Sequence, residues 1–76
     1  MKEVLELIIT NLVNNKEEVS IEETVNNKTI NYKVKVSKDD MGKVIGKQGR
    51  VAKSIRTVMK SVSAKEGKKV NIDFED

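Results

Sequence analysis

The apolar positions of this chain first follow a helical period and then a strand period. Over residues 3–14 they recur every three or four positions, so they share one face of a predicted helix. Two stretches of apolar–polar alternation follow, over residues 19–25 and 30–36, and alternation is typical of a half-buried strand. The segment Asn26-Asn27-Lys28 separates them. Because asparagine tolerates the positive φ of tight turns, the two strands are predicted to form a hairpin.

The rest of the chain predicts two helices and a third strand. Ser37 and Asp40 have the spacing of a capping box, in which a hydroxyl and a carboxylate three residues later satisfy free N–H groups at a helix start. The helix that begins there should be short and end near Ile45, where a glycine follows. A longer helix is predicted over residues 50–65, with Gly67 closing it. Alternation then predicts a strand through Val70, Ile72 and Phe74.

The longer helix carries an apolar face and a basic face. Four apolar residues lie within about 60° of one another and are expected to face the core, namely Val51, Ile55, Val58 and Val62. The opposite face carries Lys53, Arg56 and Lys60. For Arg56 and Lys60, contact with a ligand and simple solvation are equally favoured. Met59 lies at the margin of the apolar face, where core packing is favoured over a protein interface.

The element order α-β-β-α-α-β predicts an α+β fold with the helices packed on one face of a three-stranded sheet. A chain of 76 residues has room for one domain with a small core. With 37% hydrophobic residues it is expected to be globular. No internal repeat or linker marks a second domain, so residues 1–76 are expected to form a single one.

Composition excludes several classes of function. The chain has no cysteine and no histidine, and no serine has an activating base in view. We therefore expect no enzyme activity, no metal site and no cofactor. No signal peptide or long apolar span is visible, so the chain is expected to be cytoplasmic and without a membrane partner.

Positive charge is concentrated in residues 38–69. This segment carries ten Lys or Arg and three acidic residues, a net charge of +7, whereas the whole chain carries +3. The segments before and after it are both net negative. A basic segment that surrounds two glycines three residues apart indicates a polyanionic partner.

The segment Val44-Ile45-Gly46-Lys47-Gln48-Gly49-Arg50 carries the clearest functional signal. It precedes the N-terminus of the longer helix, where unpaired backbone N–H groups attract anions and glycines let a sugar-phosphate chain approach closely. A nucleotide P-loop is disfavoured, because the spacing from Gly42 to Gly46 is one residue short and Gln48 replaces the required hydroxyl residue. The dinucleotide pattern G-x-G-x-x-G is also absent. A plain glycine turn between helices remains the alternative.

This V-I-G-x-x-G segment, flanked by two predicted helices, resembles the K-homology (KH) domain, whose GXXG loop clamps four nucleotides of RNA backbone. The resemblance covers essentially the whole chain and is tightest over residues 42–59. The element order is that of the bacterial type II KH domain, with a mixed sheet, and the size is similar to that of the small single-domain proteins of the KhpA group. The resemblance implies noncatalytic binding of single-stranded RNA, as an RNA chaperone or a post-transcriptional adaptor.

The resemblance also implies which residues contact RNA. They are Gly46, Lys47, Gln48, Gly49, Arg50, Lys53, Ile45, Lys43 and Ala52. The glycines would admit the RNA backbone, the polar and basic side chains would face phosphates, and Ile45 and Ala52 would line an apolar groove for the bases. Whether Val44 or Ile45 faces that groove is left open.

A protein partner is implied as well, either a second copy in a homodimer or a larger KH-containing RNA-binding protein of the KhpB/Jag type. A small domain with one groove gains affinity by pairing with another RNA-binding unit. A pure protein–protein adaptor with weak, nonspecific RNA contacts is the alternative function. Stacking of bases on the sheet is disfavoured, because Tyr32 and Phe74 both fall on the apolar side of their strands.

A loop that grips only phosphates makes a prediction about salt. With about four phosphate contacts, the logarithm of RNA affinity should fall against the logarithm of salt concentration with a slope of roughly 2–3. Fluorescence anisotropy of a labelled single-stranded RNA at several salt concentrations measures this slope. A slope near zero would contradict a binding mode based on phosphates.

Overall fold

The computed structural model describes residues 1–75 and contains the six predicted elements in the predicted order. Their bounds are α1 Lys2–Leu12, β1 Ser20–Asn26, β2 Thr29–Lys35, α2 Met41–Ile45, α3 Arg50–Ala64 and β3 Lys69–Glu75. Short 3₁₀ turns precede β1, α2 and α3. Both long helices end slightly before the predicted position: α1 ends at Leu12 because Val13 is already extended, and α3 ends at Ala64.

The strands form one mixed sheet in the order β1-β2-β3. β1 and β2 are antiparallel, with Ile21 opposite Val34, and the turn between them has Asn27 at φ 60°. β2 and β3 are parallel, with Ile30 opposite Val70. Parallel neighbours need a long crossover, and α2 and α3 provide it. The predictions of a hairpin and of a mixed three-stranded sheet are confirmed.

The core lies between one face of the sheet and the three helices. Alternate residues of β2 are buried, among them Tyr32 at 1% exposure, and Val70 and Ile72 of β3 extend the same layer. Leu5 and Ile9 of α1 pack onto it. The opposite face of the sheet is polar and exposed. The helices therefore cover a single face, as the element order predicts.

The buried face of α3 differs from the predicted one. Of the four apolar residues expected in the core only Ile55 is buried, and Val58 is 46% exposed. The buried residues of the helix are Ala52, Ile55, Met59 and Ser63. At 100° per residue this stripe is centred roughly 75° from the predicted one.

Side-chain size explains the rotation of α3. Ala52 and Ser63 are small, so they let the helix approach its neighbours closely, whereas a hydrophobicity pattern gives them little weight. The buried hydroxyl of Ser63 costs little because it donates to the Lys60 carbonyl at 3.1 Å. Met59 is fully buried, which confirms that it belongs to the core.

The start of α2 is held by a buried carboxylate. Asp40 is 1% exposed and accepts backbone N–H bonds from Asn15 at 2.9 Å and Asn14 at 3.2 Å. The side chain of Asn15 donates to it at 3.2 Å, and the Ser37 hydroxyl donates at 3.1 Å. The two asparagines follow α1. Asp40 therefore joins the end of α1 to the turn that opens α2.

The predicted capping box is wrong in its bonding. Ser37 occupies the N-cap position of the 3₁₀ turn before α2, but its side chain makes no capping bond to the backbone there. Instead its hydroxyl donates to Asp40, whose carboxylate reaches a segment 25 residues earlier in the chain. A local spacing rule cannot anticipate a partner that only folding brings close.

This network predicts a pH-dependent contribution to stability. The hydrogen bonds, that from the Asn15 N–H foremost, lower the pKa of Asp40 from 3.8 to about 2. Because the pKa is lower in the folded chain than in the unfolded one, the stabilisation is complete above about pH 4 and is lost as the pH falls toward the folded pKa. Urea unfolding of the wild type between pH 7 and pH 2 should show this loss.

Asp40→Asn should remove this pH-dependent component, because asparagine does not titrate and its NH2 group must face the N–H of either Asn14 or Asn15. The variant should melt roughly 5–10 °C below the wild type at neutral pH and show a flatter pH profile. Asp39→Asn, a change of the same kind at an exposed neighbour, is the control. Equal melting temperatures for the two variants would contradict the role given to Asp40.

Candidate nucleic-acid interface

The glycine loop, residues 46–49, reverses the chain between α2 and α3. Three of its four residues have positive φ: Gly46 at 76°, Gln48 at 57° and Gly49 at 74°. The Gly46 N–H donates to the Gly42 carbonyl at 2.9 Å and ends α2, and the Gly49 N–H donates to the Gly46 carbonyl at 3.2 Å. A non-glycine residue in the left-handed region is uncommon, and such strain is concentrated at functional sites.

The two glycines are needed for different reasons. A β-carbon at Gly46 would overlap the side chain of Val51 and approach its backbone nitrogen at 2.8 Å. A β-carbon at Gly49 would meet nothing within 4 Å. Packing therefore requires the first glycine, whereas backbone conformation alone favours the second. The surface above Gly49 is open to a ligand.

Polar and basic side chains surround the open side of the loop. Lys47, Gln48 and Arg50 are exposed, and Arg50 Nη2 lies 3.5 Å from Gln48 Oε1. Lys53 is exposed one turn along α3. Lys43 is different, because its ammonium group lies 3.6 Å from the Asp40 carboxylate. Its charge is thus partly paired with a buried group of the fold.

Of the apolar pair before the loop, Val44 is fully buried and Ile45 is partly exposed. Val44 therefore belongs to the core, and Ile45 is the member with surface available beside the loop. Ala52, which the resemblance places along an apolar groove, is 2% exposed. It offers almost no surface, so an apolar contact beside the loop would depend on Ile45.

Arg56 makes contacts that the sequence did not reveal. Its Nε and Nη2 donate to the Ile72 carbonyl at 3.3 and 3.2 Å, on the edge of β3 that has no neighbouring strand. Its guanidinium lies 5.4 Å from the centre of the Phe74 ring, a cation–π distance. Phe74 is only partly buried, so its placement in the core is confirmed in part. No local pattern signals a contact between a helix and a strand 16 residues apart.

Sequence comparisons with known proteins cover nearly the whole chain. The sequence profile described as KhpA/KhpB, KH domain, matches residues 2–74. The chain belongs to this family of KH domains. The RNA-binding protein KhpA of Clostridium perfringens is 51% identical over 74 residues, covering 97% of this chain and 99% of the relative. KhpA of Clostridium acetobutylicum is 48% identical over the same shares, and KhpA of Chlamydia trachomatis is 45% identical, over 97% and 95%.

Membership of the KhpA/KhpB family confirms the resemblance on which the sequence analysis relied. Residues 46–49 lie between α2 and α3 of the matched region. Within residues 1–75, no helix combines the length and apolar character needed to cross a membrane.

The different roles of the two glycines predict different effects of alanine. Gly46→Ala should lower the free energy of unfolding by about 2–4 kcal/mol, because overlap with Val51 adds to the strain of a positive φ. Gly49→Ala should cost only about 1 kcal/mol, from backbone conformation alone. Urea denaturation followed by circular dichroism measures both values.

The double variant Gly46→Ala, Val51→Ala tests the cause. Removal of the two γ-methyl groups should make the combined loss smaller than the sum of the two single losses. Additive losses would show that the γ-methyl groups of Val51 do not contribute to the requirement at Gly46. Equal effects of alanine at the two glycines would show that contact with Val51 does not explain it.

Proposed function

We propose that this chain is a noncatalytic single-stranded RNA-binding domain that holds the RNA backbone at its glycine loop. The observation that supports this most directly is the open surface above Gly49 at the N-terminus of α3, bordered by exposed Lys47 and Arg50. The relatives named RNA-binding protein KhpA support the class of ligand. RNA as the ligand also favours action in the cytoplasm.

The backbone of the loop supports contact with phosphate. Gly49 is the N-cap residue of α3, so the first N–H groups of a 15-residue helix lie next to the open surface. These groups carry the positive end of the helix dipole and favour anions. Because a β-carbon is absent at Gly49, a phosphate can approach the backbone closely.

The side chains divide into two roles. Lys47, Gln48, Arg50 and Lys53 would contact phosphates, which position an RNA strand without reading its sequence. Ile45 would contact a base. Lys43 and Ala52 are weaker members of the site, since one is paired with Asp40 and the other is buried. With so little surface for bases, sequence preference should be modest.

A single small interface favours action together with another RNA-binding unit. Two linked units bind one strand with an affinity that neither reaches alone. We therefore propose a role as an RNA chaperone or post-transcriptional adaptor, in a homodimer or with a larger partner of the KhpB/Jag type. The shared family description KhpA/KhpB supports such a pairing.

The second candidate is a protein–protein adaptor with only weak RNA contacts. Exposed apolar side chains favour it, above all Leu7 at 65% exposure and Val25 at 56%. Scattered exposed apolar residues are, however, normal on a protein surface. The glycine loop, by contrast, combines strain, open space and positive charge at one place.

The test is the double variant Lys47→Asp, Gln48→Asp, titrated against a labelled single-stranded RNA by fluorescence anisotropy. Affinity should fall at least about tenfold, because two attractive contacts become repulsive in a region of many phosphates. Circular dichroism should show an unchanged fold, since both side chains are exposed.

Lys2→Asp with Thr24→Asp is the matched control, because it changes the net charge by the same amount. Lys2 begins α1 and Thr24 is an exposed residue of β1, so both changes lie outside the glycine loop. Equal losses in the two double variants would mean nonspecific attraction and would favour the adaptor.

A further inference from the structure

A groove runs between α3 and the free edge of β3, away from the glycine loop. It consists of two adjoining cavities of about 420 and 340 Å³. Arg56 lines the first cavity, and Lys60 and Asn71 line both. The second cavity, called the far cleft here, is lined by Lys60, Ser63, Lys68, Lys69, Val70 and Asn71.

The backbone holds the lysines of the far cleft in place. Gly67, at φ 68°, ends α3, and the Lys68 N–H donates to the Ser63 carbonyl at 3.0 Å. The Lys69 N–H donates to the Lys28 carbonyl at 2.9 Å and begins β3. Lys68 and Lys69 therefore follow a tight turn with little freedom in the main chain, while their long side chains remain exposed.

The charge of the far cleft has one sign. Of the six described residues that line it, three are lysines and none is acidic. Glu66 is close in sequence but is not among the residues that line the cleft. Asp73 lines only the first cavity. The far cleft is thus a site of concentrated positive charge with an apolar floor at Val70.

Basic residues on one side of α3 lie between the glycine loop and the far cleft. Lys53, Arg56 and Lys60 lie within about 60° of one another on this helix, and Arg56 reaches the edge of β3. At 1.5 Å per residue, Lys60 lies about 16 Å and the end of α3 about 22 Å along the helix from Gly49. The turn that carries Lys68 and Lys69 is therefore at the opposite end of the helix from the loop, which in a KH domain clamps four nucleotides.

From this placement we infer that the far cleft is a second contact site for the same RNA strand. Lys60, Lys68 and Lys69 bind phosphates of nucleotides that extend past those held at the glycine loop. The inference rests on the proposed function and adds a longer footprint to it. RNA is favoured over an acidic protein because the charged side of α3 leads to the cleft directly from the loop.

The test compares a short RNA of about four nucleotides with a longer one of about twelve. The triple variant Lys60→Gln, Lys68→Gln, Lys69→Gln should bind the short RNA as the wild type does and lose the added affinity for the longer one. With three phosphate contacts removed, the salt slope for the longer RNA should fall by about 2. In the wild type, the amide resonances of Gly67, Lys68 and Asn71 should shift with the longer RNA only.

The triple variant Lys16→Gln, Lys33→Gln, Lys35→Gln is the matched control, since these exposed lysines lie outside the groove. Equal losses in the two triple variants, or no loss in the cleft variant, would overturn the inference. Binding of an acidic peptide in place of the longer RNA would overturn it as well. The variant Lys47→Asp, Gln48→Asp tests the proposed function separately. If this variant has a lower affinity for the short RNA, the proposed function is supported, whether or not the cleft variant differs from the wild type.

Discussion

The buried carboxylate of Asp40 is the interaction on which the placement of the glycine loop depends. It lies five residues after the end of β2 and accepts hydrogen bonds from the backbone N–H groups of Asn14 and Asn15, just after α1. Since α2 spans only five residues, it is too short to be stable alone. Its direction is set by Asp40 at one end and by the burial of Val44 near the other. The loop then leaves the core at a defined place.

The loop itself combines tight packing with open surface. Gly46 lies against Val51 so closely that no β-carbon fits, and this contact anchors the start of α3. Two residues later Gln48 adopts a strained positive φ, and the space above Gly49 is open. The strain is maintained because the helices on both sides are held in the core, one through Val44 and the other through Ile55 and Met59. A backbone held in this way can present N–H groups to a ligand without ordering itself first.

Much of the fold follows from periodicity and turn chemistry. The hairpin was predictable because asparagine, here Asn27, tolerates the positive φ of a turn between two stretches of apolar–polar alternation. The end of α3 was predictable because Gly67 adopts a positive φ without strain. The positions of Gly46 and Gly49 between two helices indicated the candidate site. The hydrogen-bonding partner of Asp40 was not predictable, since Asn15 lies 25 residues away in the chain. The buried face of α3 was predicted wrongly because small Ala52 and Ser63 face the core in place of larger valines.

The sequence by itself determined the order of elements, the family and the glycine loop with its charges, because each is expressed in local spacing of residue types. Only the tertiary structure decided which side chains remain available at the surface. It buried Val44 and Ala52, left part of Ile45 exposed, and paired Lys43 with Asp40. It also brought Lys60 of α3 beside Lys68 and Lys69. The physical reason is that burial and charge clustering depend on how helices pack against a sheet, which involves residues far apart in the chain.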